Sequence, residues 1–233
     1  MTSGQVLEES AKRAVGYRAV DAFVRPGTCI GLGSGSTAFY ATERAGQLVR
    51  AGFELRAVVT SSETERHCRE YGIPLLELGE ESIEVAIDGA DEVAPDWSLT
   101  KGGGGALFRE KAVALAARSF IVVVTERKLV SLLGAFPLPV EVVPFSLRYV
   151  AREIEELGAR VTLRVHAGKT FATDNGNAIL DCDFGPIATP SSLDRKLRDI
   201  HGVVASGLFI GLTSRVLVAN EDGSVAELDP PQG

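Results

Sequence analysis

Residues 28–37 read TCIGLGSGST, an apolar run that passes directly into a glycine-rich loop. The run Thr28–Leu32 predicts a buried strand, and the loop Gly33–Thr37 leads into a helical pattern that continues to about Val49. Upstream, apolar residues at helical spacing reach Ala22, and Pro26-Gly27 ends that helix. The order helix, strand, loop, helix indicates the start of an α/β sheet.

The same alternation continues along the chain. Apolar strands separated by helices predict a mostly parallel, Rossmann-like sheet covered on both faces, with ligands near the carboxyl ends of its strands. The further strands are predicted at Leu55–Val59, Val85–Ile87 and Phe120–Val124, and the helices at Ser62–Tyr71 and Ala106–Ala117.

After Gly134 the pattern changes to strand, helix, strand, strand, helix, strand, the order of a ferredoxin-like α+β unit. Asn175-Gly176 predicts a hairpin between Thr170–Thr173 and Ala178–Asp181. We therefore expect a small domain at residues 132–205 and a catalytic domain at 1–131 plus 206–233. The tail, with Phe209, Ile210 and a strand at Arg215–Val218, is expected to return to the first sheet. The remaining elements of the small domain are predicted at Val140–Val143, Leu147–Leu157, Val161–Val165, Ser191–Ile200 and Val203–Ala205.

The composition of the chain bears on which ligands it binds and on the compartment in which it folds. The 233 residues carry a formal net charge of -7, which gives no global electrostatic case for nucleic acid. Three scattered cysteines argue against a disulfide framework and fit free thiols in a reducing cytosol. The scattered histidines predict no metal site. Without an apolar run of membrane length or an N-terminal apolar signal, we expect a cytoplasmic protein.

Two nearby stretches carry proton-transfer chemistry. Asp88-Gly89-Ala90-Asp91-Glu92 supplies carboxylates, and Lys101 precedes the glycines of residues 102–105, whose amides can approach an oxygen-rich ligand. Glu110 follows at the start of the next predicted helix. Each has a simpler alternative: the aspartates can cap a local turn, and Glu110 can be a solvated residue of a helix's first turn. Their proximity in sequence favours a site for a small anion.

The loop Gly33–Thr37 offers backbone N–H groups, hydroxyls and a helix N-terminus, all of which favour phosphate. It lacks the lysine of a P-loop, and Ser36 stands where a dinucleotide fingerprint requires its third glycine, so NAD is not implied. A tight turn with no ligand is the alternative.

Five segments resemble, in order and approximate spacing, the type A ribose-5-phosphate isomerase family. The resemblance runs from the helix that contains Lys12 to the segment at Gly207-Leu208-Phe209, nearly the whole chain. The five segments are Gly33–Thr37, Asp88–Glu92, Lys101–Lys111, Phe136–Val142 and Thr173–Asn177.

The resemblance implies an aldose–ketose isomerase of ribose 5-phosphate and ribulose 5-phosphate in the pentose phosphate pathway, without a metal or organic cofactor. It implies that Glu110 is the base, and that Lys101 with the amides of Gly102, Gly103 and Gly104 binds the enediolate oxygens. It further implies a homodimer or tetramer. It implies that Asp88 and Asp91 are catalytic residues that hold sugar hydroxyls and help to open the ring. The remaining implied substrate contacts are Ser34, Gly35, Ser36, Thr37, Gly89, Ala90, Lys12 and Lys128.

Two other functions use the same residues. A non-catalytic sugar-phosphate sensor would bind the sugar without turnover, although the sequence shows no basic helix-turn-helix appendage. A CoA-transferase-like enzyme would use a carboxylate as nucleophile and form a covalent glutamyl adduct.

Overall fold

The computed structural model describes residues 3–220, 222–229 and 231. Its helices are α1 (Ser3–Phe23), α2 (Ala38–Arg50), α3 (Ser62–Tyr71), α4 (Leu107–Ala116), α5 (Leu147–Glu156) and α6 (Pro190–Asp199). Its strands are β1 (Thr28–Leu32), β2 (Leu55–Val59), β3 (Ile83–Asp88), β4 (Glu92–Val93), β5 (Leu99–Thr100), β6 (Phe120–Thr125), β7 (Leu138–Val142), β8 (Arg160–Leu163), β9 (Val165–His166), β10 (Lys169–Thr170), β11 (Ala178–Asp183), β12 (Val203–Ser206), β13 (Leu208–Phe209), β14 (Arg215–Ala219) and β15 (Val225–Glu227).

The chain forms two compact units. The first comprises residues 1–90, 109–129 and 212–233, and the second comprises 91–108 and 130–211. The boundaries differ from those expected at 131/132 and 205/206, because short strands tie residues 91–108 to the second unit. β5 pairs with β13, and Val130 N–H donates to Val93 O.

The first unit contains a six-stranded sheet in the order β15-β14-β6-β3-β1-β2. Its strands are parallel except β15, which runs antiparallel to β14. The inner strands β1 and β6 are largely apolar and buried, as expected for a parallel sheet that is covered on both faces. Gly31 allows close packing against α4, since a Cβ added there would lie 2.5 Å from Val113. The predicted Rossmann-like sheet is confirmed, and so is the return of the tail strand at residues 215–218.

Local signals fix the bounds of several elements of this unit. Ser61 caps α3 by accepting a hydrogen bond from Thr64 N–H, and Gly72 ends α3 in the left-handed conformation. The short apolar segment 75–78 forms only isolated bridges, from Leu75 to Ala57 of β2 and from Leu78 to Glu81. No helix among the described residues is long and apolar enough to cross a membrane.

The second unit contains a four-stranded antiparallel sheet in the order β12-β7-β11-β8. With α5 between β7 and β8, and α6 between β11 and β12, this is the predicted ferredoxin-like arrangement. Its core lies between the sheet and the two helices, where Val140, Val150, Ile154, Leu180 and Leu197 are buried.

Two sequence predictions in the second unit are wrong. The strand before Asn175-Gly176 does not pair with β11: β10 pairs with β9, and β11 pairs with β7 and β8. The Asn-Gly turn itself forms, with Thr173 N–H donating to Asn177 O at 2.9 Å, but tertiary pairing takes the flanking strands elsewhere. Phe209 joins the small sheet β13-β5-β4 of the second unit instead of the first sheet.

Candidate active site

The loop after β1 is shaped by contact with Asp88 at the end of β3. A Cβ added to Gly33 would lie 2.0 Å from Cγ and Oδ1 of Asp88, so only glycine fits there. Asp88 is 3% exposed. Its Oδ1 accepts hydrogen bonds from Ser34 N–H at 3.1 Å and Gly89 N–H at 2.7 Å. Two predicted site segments thus meet directly within the first unit.

The hydroxyl of Ser34 lies in a cluster of protein hydroxyls. Its Oγ is 2.7 Å from Oγ1 of Thr60 and donates to Oγ of Ser61 at 2.8 Å. Thr64 Oγ1 donates to Gly33 O at 2.9 Å and closes the cluster. Sequence reasoning grouped Ser34 with the substrate contacts and missed these partners. In this structure the Ser34 hydroxyl holds the loop in place.

The rest of the loop is open to solvent. Gly35 and Ser36 are exposed, and Thr37 is half-buried directly before α2. Gly35 has φ +91°, a value that permits the turn, and its carbonyl accepts from Phe39 N–H at 2.9 Å. The first N–H groups of a helix have no intrahelical acceptor, so the start of α2 can receive an anion.

Lys101 and Asp91 lie in the second unit. Lys101 is 3% exposed, and its Nζ lies 5.4 Å from the ring centre of Phe209. Its backbone N–H donates to Gly207 O at 2.8 Å. Asp91 Oδ2 accepts from Gly103 N–H at 2.8 Å, so this carboxylate holds the glycine-rich segment at its base.

Arg164 is a residue of this region that sequence reasoning missed. Its Nη1 donates to the carbonyl oxygens of Gly102 at 2.8 Å and Gly103 at 3.1 Å. Its Nε donates to Asp181 Oδ2 at 2.9 Å, and its Nη2 bonds Oδ1 of the same aspartate. A single arginine after a strand carries no sequence signal, because its partners lie far away along the chain.

Glu141 is a second missed residue, and here a signal existed. It is fully buried between Val140 and Val142, and a charge inside an apolar strand requires partners. Its Oε1 accepts from Thr173 Oγ1 at 2.9 Å, Asn175 Nδ2 at 3.2 Å and Asn177 Nδ2 at 2.9 Å. The predicted motif at 173–177 is therefore a loop anchored on one carboxylate.

Glu110 lies in the first turn of α4 and is 5% exposed. The sequence alternative, a solvated glutamate, is therefore wrong. α4 begins at Leu107 in the second unit, and Arg109 is the first of its residues in the first unit. Burial is one of the ways in which proteins tune a glutamate for general-base catalysis.

The two predicted lysine contacts lie elsewhere in the first unit. Lys12 Nζ lies 3.0 Å from Glu8 Oε1 and 3.0 Å from Glu9 Oε1, so its charge is already paired. Burial lowers the pKa of Lys12, but the hydrogen bonds to Glu9 and Glu8 outweigh it and raise the pKa overall. Lys128 is half-buried in the 3₁₀ turn Glu126–Lys128 that follows β6.

The free cysteines Cys29, Cys68 and Cys182 are buried, as predicted. In the described part of the chain, no group of three or more His, Cys, Asp or Glu side chains could hold a metal ion.

Comparison with known proteins identifies one family. The family model for ribose 5-phosphate isomerase A (phosphoriboisomerase A) matches residues 56–223. A ribose-5-phosphate isomerase A from Gloeobacter violaceus is 48% identical over 221 residues, which cover 94% of this chain and 94% of that protein. Another from Bacillus mycoides is 44% identical over 203 residues, covering 86% of this chain and 92% of that protein.

Solved structures agree with the sequence relatives. A ribose 5-phosphate isomerase from Plasmodium falciparum superimposes with a TM-score of 0.92 at 35% identity, over 95% of this chain and 98% of that chain. A D-ribose-5-phosphate isomerase in complex with phospho-erythronic acid superimposes with a TM-score of 0.91, also at 35% identity and with the same coverage.

Proposed function

We propose that this chain, which belongs to the ribose 5-phosphate isomerase A family, interconverts D-ribose 5-phosphate and D-ribulose 5-phosphate through an enediolate. The observation that carries the mechanism is the buried carboxylate of Glu110, eight residues after the start of the glycine-rich segment at Gly102. The relative bound to phospho-erythronic acid supports the substrate class, because that ligand combines a phosphate with a carboxylate on a short hydroxylated chain.

Glu110 acts as the base in this proposal. Its carboxylate removes the proton from C2 of the open-chain aldose, which leaves an enediolate with its negative charge on O1. The hydroxyl proton of O2 then moves to O1, and Glu110 returns its proton to C1 to give the ketose. One carboxylate serves both steps because the two carbons are adjacent. A positioned base of this kind typically accelerates a reaction by about 10²–10⁴-fold.

Lys101 and the amide of Gly104 are proposed to stabilise the enediolate oxygens. A preorganised donor removed from such a site costs about 10²–10³-fold in rate. Lys101 suits this role because it is almost fully buried, where a fixed positive charge acts through a medium of low dielectric constant. Asp91 holds Gly103 in place through its N–H.

Asp88 is proposed to hold sugar hydroxyls and to assist ring opening. Its Oδ1 is fixed by the amides of Ser34 and Gly89, so the carboxylate has a set orientation. The phosphate is assigned to the amides and hydroxyls of Ser36 and Thr37 at the start of α2. Lys12 and Lys128 remain proposed contacts, and Lys12 would have to exchange Glu8 and Glu9 for phosphate.

Replacement of Glu110 by glutamine tests the assignment. We expect kcat for ribose 5-phosphate to fall by about 10²–10⁴-fold while the protein stays folded and still binds substrate. The matched control is Glu84→Gln on β3, whose side chain is half exposed and pairs with Arg118 at 3.5 Å. Proton NMR of the reaction in D₂O tests the enediolate route, because an enediolate takes up deuterium at the carbon next to the carbonyl. Turnover of Glu110→Gln at the level of the control would exclude Glu110 as the base.

A homo-oligomeric, cytoplasmic enzyme is also proposed. Buried free thiols support a reducing compartment. The oligomeric state in this proposal rests on the resemblance to the family. Light scattering coupled to size-exclusion chromatography measures the molar mass and hence the oligomeric state. A monomer at micromolar concentration would contradict the proposed homo-oligomer.

A further inference from the structure

The glycine-rich segment contains a tight turn at Gly102–Gly105. Gly105 N–H donates to Gly102 O at 3.0 Å, the bond that closes a four-residue β-turn. Gly102 and Gly105 have positive φ, whereas the central residues Gly103 and Gly104 do not. A turn with negative φ at both central positions and this hydrogen bond is of type I.

The sequence alone does not fix this turn type. Type I and type II turns differ mainly in the orientation of the central peptide, and type II requires positive φ at the third position. Glycine at 104 adopts either sign of φ without steric cost. In type II, the N–H of Gly104 would face the opposite side of the turn. Four consecutive glycines therefore leave the direction of a proposed substrate-binding amide undetermined.

Arg164 contacts the two carbonyls that define the turn. Its Nη1 reaches Gly102 O at 2.8 Å and Gly103 O at 3.1 Å. The carbonyl of Gly103 belongs to the central peptide, and in a planar trans peptide the N–H points opposite to the C=O. Fixing Gly103 O on Arg164 therefore directs Gly104 N–H away from Arg164. A Cβ built on Gly104 has no atom within 4 Å, so the residue borders open space.

The guanidinium itself is held firmly. Asp181 binds it through both carboxylate oxygens, and its Cζ lies 5.9 Å from the ring centre of Phe171. The Arg164 side chain is 14% exposed. A bidentate pair of this kind fixes the orientation of the planar group as well as its position.

We propose that Arg164 is a positioning residue that locks the central peptide of the Gly102–Gly105 turn, so that Gly104 N–H faces the enediolate oxygen. The inference rests on the proposed function. Arg164 acts through the backbone and does not itself touch substrate. Its removal releases the peptide to sample the flipped orientation, in which this amide no longer stabilises the developing charge.

The test is a double-mutant cycle on kcat for ribose 5-phosphate. Arg164→Met should lower kcat at least ten-fold and change KM by less than about three-fold, because an oriented oxyanion donor acts mainly in the transition state. Arg160→Met is the matched control: Arg160 is 84% exposed, lies on β8 and pairs with Asp183 of β11 at 3.5 Å. It should keep wild-type kcat.

The second arm of the cycle is Gly104→Ala. Alanine fits the present negative φ and the open space, but it disfavours the positive φ of the flipped turn. We therefore compare the factor by which Arg164→Met lowers kcat in two backgrounds, the wild type and Gly104→Ala. This factor should be at least three-fold smaller in the Gly104→Ala background. Lost charge or lost packing would give the same factor in both backgrounds.

Two results would overturn the proposal: a fall in kcat of less than ten-fold for Arg164→Met, or an equal fall in the wild-type and Gly104→Ala backgrounds. If Arg164→Met does not fold, Arg164→Lys replaces it in the same cycle, since lysine keeps the charge but loses the fork that spans Asp181 and both carbonyls. Absence of isomerisation by the wild type would instead refute the proposed function, so the two failures are distinguishable.

Discussion

Replacing Glu92 by glutamine should destabilise the second unit by about 2 kcal/mol. Glu92 is 3% exposed, and its two oxygens accept from Gly134 N–H at 3.0 Å and Phe136 N–H at 2.8 Å. Hydrogen bonds to a charged group contribute about 1.5–3 kcal/mol each. Glutamine keeps one acceptor and turns an NH₂ group toward the other N–H, so one of the two bonds is lost.

Trp97 supplies the assay. It is the one tryptophan of the sequence, it is 7% exposed, and it lies between β4 and β5 in the same unit as Glu92. Its fluorescence in urea therefore follows the unfolding of that unit. With an m-value of about 2 kcal/mol/M, a loss of about 2 kcal/mol lowers the urea midpoint by about 1 M.

The exposed residue Glu155 on α5 provides the control, because Glu155→Gln changes a solvated carboxylate and should leave the midpoint within about 0.2 M. A Glu92→Gln midpoint as close to wild type as that of the control, at an unchanged m-value, would refute the reasoning. It would mean that the loop at 134–136 is held by other contacts.

Three further changes have defined outcomes. Gly33→Ala places a Cβ 2.0 Å from the Asp88 carboxylate and should lower both kcat and the urea midpoint. The control is Gly4→Ala, whose added Cβ has no atom within 4 Å and which should lower neither. Equal urea midpoints for the two variants would contradict the close contact. Hydrogen bonds from Tyr40 and Lys12 lower the pKa of Glu9 from its usual 4.5, so the stability that Glu9 contributes is present above about pH 4.5 and is lost as pH falls below it. Glu9→Gln should therefore flatten the acid side of a plot of urea midpoint against pH, and superimposable plots would reject this. Burial raises the pKa of the Cys68 thiol to about 12, so a disulfide reagent at pH 8 should modify Cys68 only after urea unfolding; rapid modification of Cys68 in the native protein would disprove its protection.

Elements with local signals follow from the sequence closely. Thr28–Leu32, Leu55–Val59 and Ser62–Tyr71 have the predicted bounds. The reason is physical: apolar periodicity, the cap at Ser61 and the left-handed Gly72 act within a few residues of each other. The motif that contains Glu110 is also visible as a local pattern in the sequence, but the burial of the Glu110 side chain is not.

Features that depend on partners far along the chain did not follow from the sequence. The Asn175-Gly176 turn was predicted, but the choice of β11 to pair with β7 and β8 came from the competition among strands for one core. The same holds for the hydroxyl of Ser34, whose hydrogen-bond partners Thr60 and Ser61 lie 26 and 27 residues away along the chain.

The sequence by itself determined the alternation of strands and helices, the family, and the identity of the charged groups available for chemistry. These are encoded in local patterns and ordered motifs. Only the tertiary structure decided how those groups are oriented. The turn of glycines at 102–105 permits more than one backbone conformation, and Arg164, about 60 residues further along the chain, selects one of them. The orientation of the backbone amides in this turn comes from hydrogen bonds between residues far apart in the chain, which no local sequence pattern specifies.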